Sequence, residues 1–177
     1  MAQKNILQYL LLGLLNQAPK TGYDLKRVFE NEIGEFWQAK HSQIYPELKR
    51  LETEDLITHI ELISGTKLMK KQYTITPSGV SYFNEWRYSP TSEILASKDE
   101  FILKLYFIES KNDQHLPAMF AEQTTLHTYK LTHLLARKAL VFPNQATITA
   151  NYGHYLILEH AINREQGYLK WLATADC

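Results

Sequence analysis

A chain of 177 residues, 45% hydrophobic and 21% charged, has the composition of a folded globular protein, which excludes disorder over most of its length. It has room for one full domain, or for a small domain with a helical appendage. Nineteen Lys and Arg balance nineteen Asp and Glu, which excludes gripping nucleic acid by bulk charge, so any DNA-binding surface needs its positive charge concentrated locally.

The apolar run from Ile6 to Leu15 is interrupted by Gln8 and Tyr9, and Ala18-Pro19-Lys20 is a poor cleavage site. It is also far shorter than the roughly 20 apolar residues of a membrane span. It reads as a buried first helix over about Asn5 to Asn16. Thr21 and Asp24 then stand at capping-box spacing and open a second helix, with Leu25, Val28 and Phe29 inward and Gly34 as its C-terminal stop. A third helix begins near Ser42, because Pro46 is tolerated only close to a helix start. Its Ile44, Leu48 and Leu51 share one face. Ser42, Pro46 and Lys49 point the opposite way, flanked by Gln43, Tyr45 and Arg50, so the outer face is polar, aromatic and basic.

Two β-prone runs follow, Leu56 to Ile63 and Lys67 to Thr76, joined by Ser64-Gly65-Thr66 as in a hairpin. Thr76-Pro77 is an N-cap followed by proline at the first helical position, opening a fourth helix to about Trp86. Helix, helix, helix, hairpin is the order of a winged helix-turn-helix. After Pro90 the pattern turns to long helices. Phe101, Leu105 and Ile108 form one stripe. Pro117 opens a helix carrying Phe120, Thr124, His127, Leu131 and Leu134, and Pro143 ends it. The last helix, about Tyr152 to Ala173, repeats at Tyr155, Leu158, Ile162, Glu165, Leu169 and Leu172, close to a heptad. Leu156, Ile157, Tyr168 and Trp171 lie off that stripe, so a second side needs cover, which a partner subunit would supply. The expected fold is mostly α with a small β-hairpin. A winged helix-turn-helix spans 1–89, and a helical dimerisation and ligand-binding domain spans 90–177.

Two groups of residues suggest chemistry. From Leu62 to Asn84 there is no acid, while Lys67, Lys70 and Lys71 cluster about the hairpin, where lysines would displace counterions from a phosphate backbone. A few lysines on a strand more often mean a solvated surface; the preceding three helices favour DNA. In the C-terminal half, Tyr106, Phe107, Tyr152, Tyr155, Tyr168 and Trp171 accompany His154, Lys104 and Glu100. A planar aromatic acid needs flat walls, a donor for its carboxylate and a polar partner for its ring substituent. The competing reading of these aromatics is a dimer core with a buried, satisfied histidine. Enzymatic motifs do not occur: there is no HExxH, P-loop, GxGxxG or GxSxG, and Cys177 is the single cysteine. Neither a metal nor a cofactor is expected, and the lone cysteine suits the cytoplasm.

Gly22-Tyr23-Asp24-Leu25, Phe36-Trp37 and His41-Ser42-Gln43-Ile44-Tyr45-Pro46-Glu47-Leu48 resemble the DNA-binding domain of the PadR family, as does Tyr73-Thr74-Ile75-Thr76 through Gly79. Lys98-Asp99-Glu100-Phe101 with Lys104 and Tyr106-Phe107, and Tyr152-Gly153-His154-Tyr155-Leu156, are similar to the subgroup that senses phenolic acids. The resemblance implies a homodimeric repressor of a phenolic acid decarboxylase gene. It would bind a palindromic operator through its winged domains, dimerise through C-terminal helices, and be released by hydroxycinnamic acids such as p-coumaric or ferulic acid. It places Ser42, Gln43, Tyr45 and Lys49 in the major groove, with Tyr23, Lys40 and His41 beside them. Gly65, Thr66 and Lys67 form the wing tip at the backbone or minor groove, with Lys70 and Lys71 behind. His154 and Tyr155 match the motif facing the effector pocket, to which Lys104, Glu100, Phe101 and Trp171 are added on chemical grounds. One alternative is a multidrug-type regulator of the same family holding a different hydrophobic ligand. Another is a protein-interaction module that does not touch DNA.

Overall fold

A computed structural model describes residues 5–33, 41–64, 68–91 and 99–174, with side chains at all of these except 31, 32, 41, 63, 64, 68 and 69. Gly34, Lys40, Gly65, Thr66 and Lys67, and the side chain of His41, therefore lie outside the described residues. The elements in chain order are α1 (Ile6–Gln17), β1 (Lys20–Thr21), α2 (Gly22–Val28), a π-helical turn (Phe29–Ile33), α3 (His41–Thr53), β2 (Ile57–Ser64), β3 (Leu68–Ile75) and α4 (Pro77–Tyr88). Then follow α5 (Glu100–Leu105), α6 (Leu116–Val141), α7 (Gln145–Ala150) and α8 (Tyr152–Thr174). The chain forms two compact units, Met1–Ile94 and Leu95–Cys177.

The core of the first unit is built on α1, whose Leu7, Leu11, Leu12 and Leu15 pack with Leu25, Phe29, Ile44, Leu48, Leu51, Ile57 and Tyr73. Each fully buried leucine or isoleucine here contributes about 1.5–3 kcal/mol of transfer free energy. The capping box forms at the start of α2: Thr21 Oγ1 accepts from the Asp24 N–H at 3.2 Å, and Asp24 Oδ2 accepts from the Thr21 N–H at 3.0 Å. The Thr21 hydroxyl also donates to Asp24 Oδ2 at 2.7 Å, and this bond with the backbone one holds the Asp24 carboxyl below its ordinary range. Lys20 and Thr21 also form a two-residue strand, too short to show a period, so the sheet has three antiparallel strands in the order β1-β3-β2. In the hairpin ladder Ile57 faces Ile75, His59 faces Tyr73 and Glu61 faces Lys71.

Helix α3 starts at His41 and continues through Pro46. Proline has no N–H to return to the Ser42 carbonyl four residues earlier, so the buried stripe, rather than a complete ladder, holds this turn helical. At its end the Leu56 N–H bonds the Leu51 carbonyl at 3.0 Å and the Asp55 N–H bonds that of Glu52 at 3.1 Å. This is a Schellman stop, with Asp55 in the left-handed region at φ 56°. Thr76 then caps α4, its Oγ1 accepting from the Gly79 N–H at 3.0 Å, with Pro77 as the first helical residue.

The second unit is a helical hairpin. His127 of α6 meets Glu165 of α8, Lys138 meets Glu159, and Phe142 meets Tyr155, so α6 and α8 run antiparallel. Leu134, Phe142, Leu158, Ala161 and Ile162 form the core between them. Helix α5 is a single short segment ending at Leu105, so Ile108 lies beyond it rather than on a helical stripe. Helix α7, which periodicity does not reveal, is capped by Asn144, whose Oδ1 accepts from the Thr147 N–H at 3.1 Å.

Gly79 is required by close approach. A Cβ there would stand 2.0 Å from the Leu56 carbonyl oxygen, a backbone atom that cannot swing aside. Gly79→Ala is therefore expected to cost about 1–3 kcal/mol or more by forcing α4 off the sheet. Chemical denaturation would read this as a lower midpoint, and an unchanged midpoint would contradict the packing described.

Candidate functional site

In the first unit the surface of interest is the outer face of α3. Ile44, Leu48 and Leu51 are 0–1% exposed, while Ser42, Gln43, Tyr45, Pro46 and Lys49 are exposed. The Tyr45 ring lies directly over Gly22: a Cβ at Gly22 would fall 2.6 Å from Tyr45 Cε1. The absent side chain thus lets an aromatic ring rest on the start of α2 while the residue stays more than half exposed. Tyr23, the next residue of α2, is equally exposed.

Helix α3 also carries Glu47, an acid that does not reach the outer face. It is buried, and its Oε1 accepts from Asn5 Nδ2 at 3.0 Å and from Arg50 Nη2 at 2.6 Å. Sequence spacing had set Arg50 on the flank of the outer face. In the structure it remains there, half-exposed, with its guanidinium bonded to Glu47 three residues before it, a carboxylate that must be neutralised once buried. The first unit holds eleven bases and eleven acids in the sequence. Its chemistry therefore rests on placement: Ser42, Gln43, Tyr45, Pro46 and Lys49 give the exposed face of α3 a cation, an amide and two hydroxyls, with no acid among them.

On the hairpin, Lys70 and Lys71 are exposed. They are not equivalent. Lys71 stands opposite Glu61 in the ladder, which offsets part of its charge, whereas Lys70 faces Leu62.

The six candidate ligand residues of the second unit do not line one pocket within it. Phe101 and Trp171 come together, with ring centroids 6.2 Å apart, and Phe120 completes the group at 5.4 and 6.0 Å. Glu100 and Lys104 bond each other at 2.7 Å as i,i+4 neighbours on the exposed side of α5. His154 and Tyr155 lie at the opposite end of α8 from Trp171. The intervening 16–17 residues span about 25 Å of helix at ~1.5 Å per residue, more than a one-ring acid can bridge.

At the His154 end, Phe142 sets its ring edge-on to both His154 (5.4 Å) and Tyr155 (5.6 Å), and Tyr152 stacks near Tyr155 at 6.2 Å. Lys138 Nζ sits over the Tyr155 ring at 5.3 Å and pairs with Glu159. This end offers flat walls, an imidazole and a cation. Phe142 and Lys138 were missed by sequence reasoning, since helical spacing within α6 does not tell which turn of α8 it meets.

Between the two ends lies a buried polar group. Glu165 is 1% exposed, with His127 Nδ1 at 2.5 Å from Oε2 and Lys130 Nζ and Arg164 Nη2 at 3.4 and 3.1 Å from Oε1. Burial pushes its carboxyl up, but the His127 hydrogen bond and the Lys130 and Arg164 groups outweigh this and hold it below 4.5. His127 stacks on Tyr168 at 3.9 Å, and the Tyr168 hydroxyl donates to Asp99 Oδ2 at 2.9 Å. Asp99 Oδ1 caps α5, accepting from the Phe101 and Ile102 N–H groups. Burial, and then the bond to Asp99, raise the Tyr168 hydroxyl well above its ordinary value. Among the described residues no cluster of His, Cys, Asp and Glu could hold a metal ion, and no helix is long and apolar enough to cross a membrane.

Comparison with known proteins covers both units. Residues 11–85 match the transcriptional regulator PadR-like family, and residues 97–176 match the virulence activator alpha C-terminal family. The negative transcriptional regulator PadR of Bacillus subtilis is 42% identical over 96% of this chain and 94% of its own. The crystal structure of that protein with operator DNA superposes with a TM-score of 0.89 at 40% identity, covering 97% of this chain and 100% of the other. Its complex with p-coumaric acid gives 0.85 at 38% identity, covering 96% of each chain.

Because the folded Glu165 carboxyl sits below its ordinary value, its contribution to stability is fully present above pH 4.5 and is lost as pH falls through the folded value. The midpoint of thermal unfolding should therefore fall on acidification below that point, and Glu165→Gln should flatten the acid limb. An identical acid profile in the variant would contradict the assignment of this carboxylate as ionised and paired.

Proposed function

The chain belongs to the PadR-like family of transcriptional regulators, and from that premise we propose that it represses a phenolic acid decarboxylase gene as an operator-bound homodimer released by hydroxycinnamic acids. The observation that carries this reading is the match, over nearly the whole of both chains, to a relative whose structures hold operator DNA in one case and p-coumaric acid in the other. The family is one of regulators rather than enzymes, and repression at a gene places the work in the cytoplasm.

In this reading α3 is the recognition helix. Ser42, Gln43 and Tyr45 meet base edges, Lys49 meets phosphate, and Tyr23, Lys40 and His41 flank them. Gly65, Thr66 and Lys67 form the tip of the wing, with Lys70, more than Lys71, as the unopposed cation behind it. Leu126, Tyr129 and Leu140 share one exposed side of α6, and Leu156 stands out from α8. A second copy of the chain covers apolar surface of this kind. The dyad then sets two recognition helices about one turn of DNA apart, ~34 Å.

The effector site is the Phe142, His154 and Tyr155 end of the second unit, with the His154 imidazole as polar partner and Lys138, shared with Glu159, beside it. Phe101 and Trp171 belong to a separate aromatic cluster, and Lys104 with Glu100 to the surface of α5. Release requires that the acid bind the DNA-incompetent arrangement more tightly. A hundredfold loss of operator affinity corresponds to a coupling of about 2.7 kcal/mol.

Two substitutions divide the reading into its parts. Lys49→Ala should weaken binding to every DNA sequence and reduce the slope of log affinity against log salt by about 0.9, one phosphate contact fewer. An unchanged slope would remove Lys49 from the interface. His154→Ala should leave operator binding intact while raising the p-coumaric acid concentration needed for release about tenfold or more. Normal release in that variant would move the effector site elsewhere.

A further inference from the structure

Helix α3 carries two cations side by side in sequence, Lys49 and Arg50, and the fold turns them to different tasks. Lys49 is exposed. Arg50 spends all three guanidinium nitrogens on the protein. Nε and Nη2 donate to Glu47 Oε1 at 3.1 and 2.6 Å, Nη2 also reaches Gln8 Oε1 at 2.7 Å, and Nη1 donates to Glu54 Oε1 at 2.5 Å. Gln8 belongs to α1 and takes a further bond from the Tyr82 hydroxyl of α4 at 3.4 Å. Tyr82 in turn accepts from the Tyr9 hydroxyl at 3.3 Å. This side chain therefore ties α3 to α1 through Gln8, whose amide oxygen is shared with Tyr82 of α4.

We infer that Arg50 is a positioning residue of the recognition helix: by binding Gln8 and neutralising buried Glu47, it fixes how α3 is turned, and it makes no contact with DNA. This inference rests on the operator-binding reading above. Two physical arguments carry it. First, three buried apolar residues along one stripe resist translation of α3 but leave rolling about its axis comparatively soft. A directional fork bonded to α1 opposes that roll, and Gln43 and Tyr45 keep their register with base edges only if it is opposed. Second, an unneutralised Glu47 would be driven from the interior toward solvent, on the same helix that approaches phosphates. Arg50 keeps that charge inward and paired.

The test is fluorescence anisotropy on the full chain, using the operator duplex of the Bacillus subtilis relative and a scrambled duplex of equal length, over a series of salt concentrations. Arg50→Gln should lower the ratio of operator to scrambled affinity roughly tenfold, the scale of a misread base pair, with the salt slope unchanged. Gln8→Ala, on α1 and away from DNA, should lower the ratio in the same direction. Arg50→Lys, with one point charge in place of a fork, should recover only part of it. A slope shallower by about one unit in Arg50→Gln would make Arg50 a phosphate contact and overturn the inference. So would an undiminished ratio in Gln8→Ala, which also decides the matter if circular dichroism shows Arg50→Gln unfolded. Failure of the unaltered protein to prefer the operator would overturn the operator reading itself, and this inference with it.

Discussion

The burial of one stripe of α3 is the constraint on which the rest depends. Ile44, Leu48 and Leu51 are almost completely removed from water against α1 and the strands, and that choice decides which residues of the helix remain outside. Because α3 carries Glu47 as well, the same burial would trap an ionised carboxylate without partners. Asn5 and Arg50 meet it, so the helix can present a face without an acid. The proline at position 46 fits this logic: it weakens the helix ladder on the solvent side, where the apolar stripe does not need it.

A chain with as many acids as bases can still approach a polyanion, since the interaction with phosphates is decided within a Debye length of about 8–10 Å. What matters is the sorting of charge. Glu47 faces inward and Glu61 sits against Lys71, while Lys49 and Lys70 face outward. The helical unit uses its buried charges differently. Glu165 is held in the hairpin of α6 and α8 by His127, Lys130 and Arg164, and Tyr168 carries that network to the cap of α5 through Asp99. It orders the interior of the helical unit, while the His154 end, where aromatic rings meet edge-on beside Lys138, has the chemistry to take an aromatic acid.

Much of this was legible in the sequence because local chemistry and tertiary structure agree. The Thr21–Asp24 capping box, Thr76-Pro77 at the head of α4, and the stripes of α3 and α8 all form where their residue types place them. What sequence missed required knowing who sits opposite. Strand β1 exists only because β3 is there to pair with Lys20 and Thr21. Arg50 reads as an outward cation until Gln8, 42 residues away, is seen to meet it. The grouping of His154 with Trp171 followed shared chemistry, and the length of α8 separates them. Helix α5 ends at Leu105 with Tyr106 as its C-cap, so the apolar periodicity through Ile108 outruns the helix.

The central claim is that one molecule joins operator binding to phenolic-acid sensing. The most direct measurement is a titration of the unaltered protein against the operator of the Bacillus subtilis relative, with and without p-coumaric acid. The account predicts tight, salt-sensitive binding that the acid weakens about a hundredfold, the coupling given above. Tight binding that ignores the acid would contradict the effector half of the account and point to a different aromatic or hydrophobic ligand. Absence of salt-sensitive binding would contradict the account at its root.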